Sequence, residues 1–117
     1  MRILTKDTLV DTQGVRITKI SVTSRHIAAK ARPGQFVVLM KDETSERIPL
    51  TVVDTDKNAG TVTLIFQELG FSTKRFGMMN AGDQFYAVVG PLGHATEIKN
   101  YGSVILVGGG VGIAEIL

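Results

Sequence analysis

The chain has 117 residues, 44% of them apolar, with a mean hydropathy of +0.18 and a formal net charge of +2. That is long enough for one domain with its own core, too short for two, and too apolar to remain disordered. No apolar run nears the ~20 residues that cross a bilayer, no Lys/Arg block is interleaved with aromatics for nucleic acid, and no cysteine is present for a disulfide, thiolate metal site or iron–sulfur cluster.

The N-terminus, Met1 to Asp7, carries an acidic residue and has no signal-peptide apolar region, so the cytoplasm is the expected compartment. Arg2 to Val10 reads as a strand, and Asp11-Thr12-Gln13-Gly14 as a turn cluster. Val15 to Val22 then alternates apolar and polar with period two, the pattern of a strand buried on one face, so a hairpin is expected. His26 to Ala31 suits a single helical turn, stopped by Arg32-Pro33-Gly34. His26 itself is either a solvated loop residue or a proton donor or ligand. Gln35 to Met40 reads as a buried strand, and Lys41 to Glu46 as a charged loop leading to Arg47.

The hexapeptide Arg47-Ile48-Pro49-Leu50-Thr51-Val52 places a permanent cation, a rigid proline and a hydroxyl at the start of a strand that runs to Asp54. Arginine pairs with phosphate or hydrogen-bonds a flat heteroaromatic ring, and proline suits the first residue or edge of a strand. Two readings stand here: an exposed arginine before an ordinary strand, or a backbone that runs beside a ligand with Thr51 in reach. Asp56 to Gly60 is a hairpin turn, and Thr61 to Glu68 pairs back. Gly70-Phe71-Ser72-Thr73, followed by Lys74 and Arg75, reads as a helix N-terminus. Its free N–H groups either hold an anion or are capped by Ser72 or Thr73. Gln84 to Val89 is the sixth strand, closed by Gly90-Pro91-Leu92-Gly93.

Six short strands at near-regular spacing up to about Asn100 favour a barrel, which removes exposed edges. The next segment differs in kind. Ser103 to Val107 is apolar and runs into Gly108-Gly109-Gly110-Val111-Gly112, the strand and glycine turn with which a parallel α/β domain opens. It falls short of a full G-x-G-x-x-G, because Ile113 holds the last glycine's place. The division expected is therefore residues 1–100 as a β-barrel domain and 101–117 as the start of an incomplete α/β domain.

In this order, Pro33-Gly34-Gln35-Phe36, Arg47-Ile48-Pro49-Leu50-Thr51, Ile65-Phe66-Gln67, Gly70-Phe71-Ser72-Thr73, Gly90-Pro91-Leu92-Gly93 and Gly108 to Gly112 resemble the ferredoxin–NADP reductase superfamily. The likeness is to two groups within it. One is the electron-transfer subunit of dihydroorotate dehydrogenase. The other is the small subunit of NADH-dependent ferredoxin–NADP oxidoreductase (also known as a sulfide dehydrogenase subunit), whose form of the Arg-x-Pro motif is the nearer. The resemblance implies a mainly β fold: a six-stranded antiparallel Greek-key barrel that binds FAD, followed by the first strand of a truncated nicotinamide-binding α/β domain.

It further implies that Arg47 contacts the FAD at its phosphate or ribitol side, while Pro49, Leu50 and Thr51 lie against the isoalloxazine. Ile65, Phe66 and Gln67 would line the ribityl–adenine side, Gly70, Ser72 and Thr73 would bind the pyrophosphate, and Gly109, Gly110 and Val111 would face NAD(P). No catalytic side chain and no metal ligand is implied. Family members also carry a cysteine-ligated [2Fe–2S] cluster, which this cysteine-free chain cannot ligate, and Glu115 stands where relatives often have a helix-starting proline. The expected partners are a larger catalytic subunit of a heteromeric oxidoreductase and ferredoxin, with no nucleic acid and no membrane. The expectation for the chain alone is FAD affinity without complete NAD(P)H-dependent electron transfer. Two other readings are a flavin-free β-barrel that binds protein or RNA, and an assembly piece that dimerises through residues 103–107.

Overall fold

A computed structural model describes residues 1–97, 99–105 and 107, apart from the side chains of residues 71 and 72. The first hairpin pairs β1 (Ile3–Thr12) with β2 (Val15–Thr23), Thr12 opposite Val15. Its turn is tighter than the four-residue cluster expected. Gln13 and Gly14 both have positive φ, 42° and 81°, as in the two-residue primed turns whose twist matches that of paired strands. Helix α1 (Arg25–Lys30) starts at Ser24, whose hydroxyl accepts from the Ile27 amide at 3.3 Å, and turns Ile27 and Ala28 inward.

Strands β3 (Phe36–Met40) and β4 (Ile48–Thr51) pair antiparallel, and β5 (Asp54–Asp56) turns through the Asp56–Gly60 hairpin into β6 (Thr61–Gln67). Helix α2 (Phe71–Gly77) and a loop lead to β7 (Ala87–Leu92). The described residues therefore form seven strands where the sequence pattern suggests six. The expected strand Pro49–Asp54 is in fact two segments in different sheets. The Val52 amide donates to the Gln35 carbonyl at 3.0 Å and the Val53 amide to the Thr63 carbonyl at 3.1 Å. One strand thus leaves its first partner and joins another within two consecutive residues.

The sheets have the orders β1-β2-β6-β5 and β4-β3-β7, antiparallel throughout. They are joined along both seams. At one, β4 continues into β5. At the other, the Ile3 amide donates to Asp83, the Gly82 amide to Ile3 and the Phe85 amide to Met1, all to main-chain oxygens at 2.7–3.1 Å. Three successive strand positions (β3, β4–β5, β6) with β7 returning beside β3 make a Greek key, arranged as a barrel. The core lies between the sheets. Val62, Leu64 and Phe66 point into it from alternate positions of β6, and Val37 and Leu39 do so from β3. Phe76 of α2 packs edge-to-face on Phe66 and on Phe85, with ring centroids 6.1 and 5.2 Å apart.

The expected strand Ser103–Val107 is not formed over its described residues, 103–105 and 107. Val104, Ile105 and Val107 are largely exposed. Strand hydrogen bonds need a paired neighbour, and these residues pair with none of the described strands. No helix among the described residues is long and apolar enough to cross a membrane.

Candidate functional site

Side chains on one face of a sheet come from alternate residues, and directly paired residues share that face. On the core side of β4-β3-β7 stand Val37 and Leu39, with their partners Leu50, Ile48 and Val88. The opposite face carries Phe36, Val38 and Met40, flanked by Thr51 and Pro49 on one side and by Leu92, Val89 and Ala87 on the other. That face is apolar but incompletely covered. Val89 retains 54% of its exposure and the neighbouring Tyr86 60%. Here lies a groove of about 450 Å³, lined by Val38, Met40, Arg47, Tyr86, Ala87, Val89 and Leu92. Among the described residues its one charged wall residue is Arg47.

The structure sorts the motif residues by face. Arg47 lines the groove, and Pro49 and Thr51 stand on the same side of the sheet. Leu50 packs against the core instead, so only its main chain is offered outward. On β6, Ile65 and Gln67 are partly exposed, whereas Phe66 is 2% exposed and buried against Phe76. The Phe66 side chain therefore lines no surface. Strand β6 runs next to β4: continuing the pairing of Asp54 with Thr63 would set Ile65 across from Val52 and Gln67 across from Leu50.

Gly70 is the N-cap of α2, with extended backbone. The Thr73 hydroxyl accepts from the Leu69 and Gly70 amides, each at 3.0 Å, and donates to the Gly70 carbonyl at 3.1 Å. A hydroxyl has one proton and two lone pairs, so all of its capacity is engaged in the turn. Of the two readings of this segment, capping is the one Thr73 performs. Ser72 lies in α2, its side chain outside what the structure describes. Gly109, Gly110 and Val111 lie outside the described residues.

Two features escape sequence reasoning. The groove's wall from Tyr86 to Leu92 is reached only through the β3–β7 pairing, across about half the chain. The signal available was β3 itself, apolar at both parities, which reads as burial on both faces rather than as one face left for a ligand. The second is Asp42, in the loop before Arg47. Its Oδ1 accepts from the Thr44 amide and hydroxyl at 3.2 Å and from the Ser45 hydroxyl at 2.6 Å, while Oδ2 meets Arg75 Nη2 at 2.8 Å. The Ser45 hydroxyl, aided by Arg75 and Thr44, holds the Asp42 carboxyl down at about 2, against the desolvation that opposes it. No group of three or more histidines and carboxylates fit to hold a metal occurs among the described residues.

The site can thus accept a flat, largely apolar ring on the sheet face, with an anionic or hydroxylated tail toward Arg47. No protein-family model matches the chain. It is 47% identical over 95 residues to the dihydroorotate dehydrogenase B (NAD(+)) electron transfer subunit homolog of Thermotoga maritima, covering 81% of this chain and 34% of that protein. Among solved structures it is similar to an NADH-dependent reduced ferredoxin–NADP oxidoreductase studied for flavin-based electron bifurcation. The TM-score there is 0.92 at 41% identity, over 98% of this chain and 40% of the other. Ferredoxin–NADP+ reductase from Plasmodium falciparum superposes with a TM-score of 0.66 at 13% identity, over 85% of this chain and 41% of the other, which shows a shared fold. The chain spans about a third of the length of the curated relatives it matches.

Proposed function

We propose that this chain is the FAD-binding part of a flavin-dependent oxidoreductase that moves electrons between NAD(P)H and an iron–sulfur or ferredoxin partner. The observation that carries the reading is the groove on β4-β3-β7, an apolar sheet face of about 450 Å³ with the permanent cation of Arg47 at its rim. Small-molecule sites are concave and mostly apolar, with a few polar groups that fix orientation, and this groove has that composition. The residues fit FAD in kind. Val38, Met40 and Val89 would take the ring, the Pro49–Thr51 backbone would run along it, and Arg47 would hold the ribityl or phosphate end. Ile65, Gln67 and the Gly70 turn would continue the track toward the adenine, with Phe66 and Leu50 contributing main chain alone.

When bound, a flavin accepts a hydride and releases electrons singly, so the chemistry is the cofactor's. The protein's share is orientation and electrostatics. A sheet face holds the ring by many small contacts and keeps water from one side of it. Arg47 keeps its charge at any working pH and can form paired hydrogen bonds to phosphate. No side-chain acid or base is needed for this role.

We assign residues 1–100 to the FAD-binding unit and 101–117 to the beginning of a nicotinamide-binding unit, with Gly109, Gly110 and Val111 facing NAD(P). A [2Fe–2S] cluster would have to be ligated outside this cysteine-free chain. The exposed Val104, Ile105 and Val107 suit burial against further chain, a larger catalytic subunit or a second copy.

The test is a visible spectrum and titration of the purified chain with FAD, repeated on Arg47→Ala. Bound flavin is expected, weakened about tenfold or more in the variant, the usual cost of a charge-assisted contact. Equal binding by Arg47→Ala would keep the cofactor and remove this site. Absence of flavin binding by the parent chain, with binding of single-stranded RNA instead, would favour the flavin-free barrel.

A further inference from the structure

The groove has a cation at its rim, and something must hold that cation there. Arg47 is preceded by Lys41–Glu46, a polar stretch joining β3 to β4. Such a loop has many accessible conformations, and each one aims the following residue differently. The loop is not left to itself. Oδ1 of Asp42 gathers Thr44 and Ser45 into a closed turn, reinforced by the Asp42 amide donating to Ser45 Oγ and the Ser45 amide donating to the Asp42 carbonyl, both at 3.2 Å. Oδ2 of the same carboxylate reaches out of the loop to Arg75 on α2, 33 residues away in sequence. Helix α2 is in turn fixed to the core by Phe76, wedged between Phe66 and Phe85.

We propose that Asp42 is a positioning residue for the cofactor groove: by clamping the β3–β4 loop to Arg75, it sets where Arg47 stands at the groove's rim. The inference rests on the flavin reading above and adds to it a residue that touches no ligand. One carboxylate does two jobs with its two oxygens, ordering the loop and anchoring it to a helix. Surface ion pairs alone are worth little, because both side chains lose entropy to meet. This one differs in that one partner is already held in place by three donors of its own loop. Its lowered pKa agrees with a carboxylate that is ionised and hydrogen-bonded through both oxygens in the fold.

Fluorescence titrations with FAD and with riboflavin on the parent chain, Asp42→Ala, Arg47→Ala and the double variant test this. FAD carries the phosphates that Arg47 would meet, and riboflavin lacks them. Asp42→Ala is expected to weaken FAD about 5- to 20-fold with little change for riboflavin. In the Arg47→Ala background the same substitution should cost nothing further, since Asp42 acts through Arg47. Additive losses would overturn the proposal, as would tighter FAD binding by Asp42→Ala, which would mean that Asp42 withholds Arg75 from the phosphates. A parent chain that binds no FAD would instead defeat the flavin reading itself. A ligand-free measurement keeps the clamp testable in that event. Amide exchange over residues 41–47 should quicken about tenfold or more in Asp42→Ala, and unchanged exchange would remove it.

Discussion

Gly77 shows how one residue type can be required by its neighbour rather than by its own backbone. It closes α2, and its carbonyl accepts from Lys6 Nζ. A Cβ there would fall on the carboxylate of Glu68, which is held in the interior by Thr18 Oγ1 at 3.0 Å with Arg16 Nε 3.4 Å away. Substitution by alanine must displace that carboxylate, the end of a buried side chain whose partners are Thr18 and Arg16. Gly77→Ala is therefore expected to destabilise by about 1–3 kcal/mol, the cost of unpairing a buried polar group, although Ala favours helix over Gly elsewhere. Thermal melts of Gly77→Ala, Glu68→Ala and the pair decide it. The double variant should melt above the sum of the two losses, and strict additivity would refute the contact. None of this was legible in the sequence, where Glu68 is an ordinary strand end and Gly77 carries no signal of its own. The period-two alternation of Val15 to Val22, by contrast, announced a buried face, and Ile20 and Val22 are buried. Applied to Phe66 and Leu50, the same period-two rule shows why the motif lines the groove with only some of its side chains.

Among elements, α2 carries more than its seven residues suggest. It receives the chain from β6, is capped internally by Thr73, offers Arg75 to the β3–β4 loop and inserts Phe76 between two other rings. A helix this short is marginal in isolation, so tertiary packing must hold it. Phe76→Ala should cost about 3–5 kcal/mol by emptying a site between Phe66 and Phe85. If Phe76 also holds the anchor of Asp42, chemical denaturation at residues 41–47 should precede the main transition in this variant, and a shift in stability with that loop's protection intact would count against the linkage. The strands were readable wherever one face is buried. The switch at Val52–Val53 was not, because Leu50 to Val53 is uniformly strand-prone and nothing local marks a change of partner. Residues 103–107 failed in the opposite way: propensity for a strand was present, and a neighbour was not.

For the molecule as a whole, acid is the informative perturbation. Asp42 titrates at about 2 in the fold and at its ordinary 3.8 when free. A depressed carboxyl binds its proton more readily in the unfolded chain, so its stabilisation is complete above 3.8 and lost as pH falls through 2. Parent and Asp42→Asn should differ in melting temperature by a constant amount at neutral pH and converge between pH 4 and 2. A gap that persists at pH 2 would assign the effect to packing rather than charge. The seam between Met1–Ile3 and Gly82–Phe85 has its own consequence, for synthesis. As the chain leaves the ribosome, β1 can pair with β2 at once, but its start at Met1–Ile3 must wait for partners made some eighty residues later, and the Thr96 amide closes on the Pro33 carbonyl later still. Until then the main-chain groups of Met1 and Ile3 lack these partners and stay open to any neighbouring strand. All pairings of both sheets lie within residues 1–96, so in a longer polypeptide this unit could fold while later residues are still being made.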